Sequence, residues 1–121
     1  MTAELPVIIK TYDLLVKLVP WVAKFPRSHR FVLGERIENN LYDIFDNLIA
    51  ARYSREPEPI LRQVNVDLEK LRFRIRLAND IQAMSVKQYE QASAALLEVG
   101  RMVGGWLRAR QKRRSQYPGE Q

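Results

Sequence analysis

The chain has 121 residues, no cysteine and a formal net charge of +6, with 46% hydrophobic and 28% charged residues. That is one folded domain's worth of chain with enough apolar mass for its own core. The absence of cysteine excludes disulfide staples and thiolate metal sites, and with no targeting signature the expected setting is the cytoplasm. The most apolar stretch, Leu14 to Val22, is broken by Lys17 and Pro20, too short and interrupted to span a bilayer. Met1 to Lys10 lacks a basic region followed by a long apolar run, so no secretory signal is expected.

The spacing predicts a first helix over about 5–25. Ile8, Tyr12, Leu15, Val19 and Val22 recur at three- and four-residue steps, beside a second seam of Leu14, Leu18, Trp21 and Phe25. Pro20 removes one helical hydrogen bond and should bend it. After the break at Phe25-Pro26-Arg27, Ser28 is the expected N-cap of a second helix over about 28–53, with Leu33, Ile37, Leu41, Ile44 and Leu48 facing inward.

The run Ser54 to Pro59 holds two prolines and three charges, which reads as a loop with Pro59 suited to a first helical turn. A third helix over about 60–83 carries Leu61, Val64, Leu68, Leu71, Ile75 and Ala78 as a heptad-like seam. Met84-Ser85 turns the chain into a fourth helix over about 85–110, with Ser85 as cap and Tyr89, Ala92, Leu96, Val99, Val103 and Trp106 as its seam. Residues 112–121 read as a disordered basic tail. The expected fold is therefore all-α, an up-down-up-down four-helix bundle over residues 1–111.

Some large apolar residues do not fit these seams. Val66, Phe73 and Leu77 fall on the outer face of the third helix, and Phe31 and Ile49 are similarly displaced on the second. A shared outer stripe marks a contact surface, so a homo-oligomer is expected, with Val66, Phe73 and Leu77 at the interface.

Candidates for chemistry are few. The single histidine, His29, beside Arg30 suggests at most a nuclease-like pair and more simply an exposed first-turn residue. Glu35, Glu38, Asp43 and Asp46 lack a Glu-x-x-His partner, so no di-metal carboxylate site is expected. The glycines build no phosphate loop. Gly100 and Gly104 read as packing positions that admit a close helix or a bulky neighbour such as Trp106. No catalytic residue, metal or cofactor is expected.

Basic residues are more informative. Residues 85–121 hold seven Lys/Arg against three acids, which suggests a polyanionic partner as readily as a solvated end. Arg72 and Arg76 project from one helix face beside Phe73, an arrangement suited to phosphate contact or to a protein interface. Arg74 lies between them in sequence, and Arg101 and Arg108 share a face of the fourth helix. The alternative for the first pair is intramolecular, Glu69 with Arg72 and Arg76 with Asp80.

Three stretches resemble the accessory variability determinant (Avd) proteins of diversity-generating retroelements. They are Phe25-Pro26-Arg27, then Leu68-Glu69-Lys70-Leu71-Arg72-Phe73 with Arg76-Leu77, and the run from Glu98-Val99-Gly100-Arg101 through Gly104-Gly105-Trp106-Leu107. Bundle proteins encoded by ribosomal-RNA intervening sequences look similar and are the alternative family. The Avd resemblance implies a homopentameric, barrel-like ring with a basic surface. It also implies binding to the retroelement's reverse transcriptase and to template RNA during mutagenic copying, with the polymerase doing the chemistry. The family's functional arginines on the third helix would fall on Arg72 and Arg76. Arg74, Arg101 and Arg108 are added from helix geometry alone.

Overall fold

The computed structural model describes residues 4–116, all of it helix and connecting turns, with no strand among the described residues. Four long helices make the bundle. The first, α1 (Glu4–Ala23), continues past Pro20 before ending. The second arm is built of three contiguous pieces: a short turn α2 (Arg27–His29), a π-helical segment (Arg30–Gly34) and α3 (Glu35–Arg52). The third and fourth helices are α4 (Glu58–Asp80) and α5 (Val86–Gln116). α1 and α4 each pack on both α3 and α5, so α1 and α4 stand on the diagonal. The short connections make consecutive helices antiparallel.

Packing follows the expected seams in α3, α4 and α5. Ile37, Leu41, Ile44 and Leu48 meet Leu61, Val64, Leu68, Leu71 and Ile75 in the centre, nearly all without solvent contact. Ala92, Leu96, Val99, Val103 and Trp106 close the core from α5. The arc expected of the first helix is buried at Ile8, Leu14, Leu15, Leu18, Val22 and Phe25, but not at Tyr12. Val7, Thr11, Leu14 and Leu18 point inward, while Tyr12 is 55% exposed. Thr11 is accepted in the core because its hydroxyl donates to the Val7 carbonyl (2.8 Å), which satisfies its only polar group.

The helix ends correct several expectations. Ser28 caps nothing: the second arm starts from Pro26, whose carbonyl accepts the N–H groups of His29 and Arg30 (2.9 and 3.0 Å). The wide π turns that follow bring Leu33 and Gly34 inward and leave Phe31 and Val32 outside. Gly34 is there for close approach. A Cβ on it would lie 2.9 Å from Val22 Cγ1 and 3.3 Å from Phe25 Cδ2. α4 stops at Asp80, three residues early, because Gln82 takes a left-handed conformation (φ 64°). The N–H groups of Ala83 and Met84 then turn back to the Ala78 carbonyl, a helix-terminating arrangement.

Ser85 does cap α5. Its hydroxyl accepts from the Gln88 N–H and the Gln88 side chain accepts from the Ser85 N–H, a reciprocal capping box. Pro59 sits in the first turn of α4. The largest departure is at the other end of α5. It continues past Arg110 to Gln116, so Lys112 to Gln116 is helix and not tail. Residues 117–121 lie outside the described residues.

Candidate functional site

Arg72 and Arg76 lie where expected, on the outer side of α4, facing a shallow groove shared with α5. Glu69, Phe73, Tyr89, Ser93 and Leu97 complete its lining. Phe73 is 60% exposed and Leu97 68%, so the groove offers apolar surface between cations. Leu77 and Val66 are also exposed along α4.

The two arginines are not equivalent. Arg72 is tied down: one Nη donates to Glu69 Oε1 (3.1 Å) and the other to the Leu96 carbonyl on α5 (3.3 Å). Its guanidinium lies over Gly100, where an added Cβ would fall 2.6 Å from Nη2. Of the two neighbours its spacing suggested, Gly100 therefore admits a helix, α4 through the side chains of Arg72 and Leu68, and not Trp106. The glycine is the bed of an arginine that joins α4 to α5. Among the described residues Arg76 holds only a long pair with Asp80 (3.9 Å), and both side chains are about two-thirds exposed. Exposed pairs of this kind contribute little, on the order of 0–1 kcal/mol, so Arg76 is available to a partner. Both intramolecular pairings foreseen as the alternative are thus present.

The remaining candidates are dispersed. Arg74 turns to the α3 side and donates to Asn40 Oδ1, while Asn40 Nδ2 donates to the Asp67 carbonyl (3.0 Å). This polar clip between α3 and α4 satisfies the buried Asn40 and takes Arg74 away from the Arg72–Arg76 face. Arg101 is exposed and pairs with Glu98 through two hydrogen bonds. Those bonds hold the Glu98 carboxyl below its usual range, against partial burial and with help from the charges of Arg101 and Lys10, and raise Arg101 in return. Arg108 folds back over Gly104 and Gly105, its Nη1 3.3 Å from where a Gly104 Cβ would stand. His29 and Arg30 do not form a reactive pair. The Arg30 guanidinium donates to the Ala23 carbonyl and covers the Phe31 ring.

Two features were missed by the spacing arguments. The first is an apolar stripe on α1, Leu5, Ile9, Tyr12 and Val16, all exposed. Tyr12 meets Phe45 of α3 (ring centroids 6.2 Å apart), and with Val16 and Tyr42 they line a second apolar groove. This groove lies between α1 and α3, on the side of the bundle opposite the α4–α5 groove.

The second is Glu58, whose side chain is 2% exposed at the start of α4. Its Oε2 lies 3.4 Å from the Nε of both Arg110 and Arg114 on α5. Arg110 also donates to the Arg55 carbonyl (3.0 Å). Burial works to raise the Glu58 carboxyl, but its own backbone N–H and the charges of Arg110 and Arg114 outweigh it and hold the group below 4.5. Nothing within the Pro57-Glu58-Pro59 run signals burial. The usable signal was on α5, where Arg110 and Arg114 repeat at a four-residue step beyond the last core residue.

Among the described residues no cluster of three or more His, Asp or Glu is placed to hold a metal ion. No described helix is long and apolar enough to cross a membrane.

The arginine bed at Gly100 joins two of the three stretches that carry the family resemblance. A family model described as bAvd-like matches residues 7–110. The chain belongs to the bAvd-like family. No curated protein matches it. Within this bAvd-like chain, the Leu-Arg-Phe and Glu-Val-Gly-Arg stretches are two halves of one contact, Arg72 seated on Gly100.

Proposed function

We propose that this bAvd-like protein is a non-catalytic accessory subunit of a diversity-generating retroelement. It binds the reverse transcriptase and its template RNA in the cytoplasm and supports mutagenic copying as a ring of identical subunits, five by family resemblance. The family match across residues 7–110 carries this reading. Two features of the surface support it. Unlike apolar grooves on opposite sides of the bundle, α1–α3 and α4–α5, suit head-to-tail contacts between copies, which close into rings when the rotation permits. Cations at Arg72 and Arg76 border one of these grooves, so a partner seated at its edge meets charge-assisted donors.

Arg76 is the better partner contact, because Arg72 already serves the α4–α5 contact. Co-expression with a retroelement reverse transcriptase tests the reading. The two proteins should elute as one complex. Arg76→Ala should weaken that complex with melting temperature unchanged, whereas Arg72→Ala should lower both. A chain that never co-elutes with the polymerase would overturn the accessory role.

A further inference from the structure

The end of α5 is longer than the core requires. Trp106 is its last buried residue and Leu107 the last that packs against the core, yet the helix continues to Gln116. This extension and the turn between α3 and α4 enclose a cleft of about 650 Å³ lined by Ser54, Arg55, Glu56, Arg110, Arg113 and Arg114. Beneath it lies Glu58. Only one of its oxygens is matched: Oε2 faces both guanidiniums, while Oε1 is buried without a hydrogen-bond partner. A half-satisfied buried carboxylate is a poor device for stability, since desolvation offsets most of the Coulombic gain. What it achieves is position, fixing two long side chains that otherwise lose rotamer freedom when they grip a ligand.

We propose that this cleft is a phosphate-binding site for the RNA backbone, with Arg55, Arg110, Arg113 and Arg114 as the contacts and Glu58 as a positioning residue. The inference rests on the reading above that RNA is a partner, and it names the surface. Four guanidiniums stand against one rim acid, Glu56, and the Glu58 beneath. The fork of an arginine matches two phosphate oxygens at once. Among the described residues no aliphatic or aromatic side chain lines the cleft, whereas a protein partner's strongest contacts are buried apolar or aromatic anchors. That composition distinguishes it from the Phe73–Leu97 groove and favours a phosphodiester over a polypeptide.

The test is binding of a labelled single-stranded RNA oligonucleotide to the full chain at several salt concentrations. Arg55→Ala with Arg113→Ala leaves Glu58 and its two partners intact, so the fold is retained. The slope of log affinity against log salt should shrink by about 1.4, roughly 0.7 for each lost phosphate contact, and affinity should fall on the order of tenfold. Glu58→Gln separates positioning from charge. It removes a negative charge, so simple electrostatics predicts tighter binding, whereas loss of arginine positioning predicts weaker binding. An unchanged slope in the double variant overturns the site, and tighter binding by Glu58→Gln overturns the positioning role. A mononucleotide that competes as well as the oligonucleotide would overturn backbone recognition. If the wild-type chain binds the polymerase but no RNA, this inference fails and the accessory reading stands; if it binds neither, both fail.

Discussion

Arginine is used in two ways in this bundle, and the groove between α4 and α5 and the far end of α5 show the contrast. In the groove, Arg72 lies on a glycine, bonded to a half-open acid and to a backbone carbonyl. Its neighbours Phe73 and Leu97 are apolar and exposed. At the far end, Arg110 and Arg114 share one buried carboxylate and border a cleft that no aliphatic or aromatic residue lines among the described residues. The first setting suits a protein surface, the second a polyanion. The acid decides the difference: the pair with an exposed Glu69 adds little, so Arg72 is held mainly by the Leu96 carbonyl, whereas a buried Glu58 does not release its arginines without leaving a charge stranded.

The largest effect should come from stranding that charge. Arg110→Ala with Arg114→Ala should destabilise the fold by about 3 kcal/mol at neutral pH, read by urea denaturation. The loss should depend on pH. The folded Glu58 carboxyl is held below 4.5, so its contribution is fully present above that value and disappears as pH falls through the folded value. The gap between wild type and double variant should therefore be widest at neutral pH and narrow as pH falls and Glu58 takes up its proton, first in the variant; a gap constant with pH would mean that Glu58 is not its source. Arg72→Ala should cost less, about 1 kcal/mol, because only hydrogen bonds on a half-open surface are lost. The smallest change should follow Gly100→Ala. The methyl displaces the flexible end of Arg72, losing its bond to Leu96, while alanine in place of a mid-helix glycine returns about 1 kcal/mol. Stability should be nearly unchanged, and a loss above about 2 kcal/mol would mean backbone, not side chain, is displaced.

Much of this contrast was legible in the sequence, though unevenly. The inner faces of α3, α4 and α5 follow from three- and four-residue spacing, because large apolar residues there alternate with charges. α1 departs only in detail, because it is apolar on more than one side: Tyr12 fits the same spacing as the buried Ile8 and Leu15, and a buried Thr11 that satisfies itself on Val7 leaves no hydropathic signal. The π segment was invisible because its one weak helix residue, Gly34, is also tolerated inside an ordinary helix. The end of α5 reads as a tail once apolar residues cease, and its helix is held by an acid more than fifty positions away. Arg72 and Arg76 were placed by spacing and resemblance. That Arg72 is partly structural required seeing Gly100 beneath it.

In the proposed arrangement subunit and polymerase contacts fall on the apolar grooves and RNA on the basic end. Sedimentation of the full chain at micromolar concentration, with and without RNA, tests that division most directly. Wild type should sediment as a ring at five times its 14.2 kDa and take up RNA. Phe73→Glu with Leu97→Glu should yield folded monomers, and Arg55→Ala with Arg113→Ala should leave the ring whole while RNA uptake falls. A wild-type chain that sediments as a 14.2 kDa monomer, or a ring that loses its RNA only with the groove variant, would contradict it.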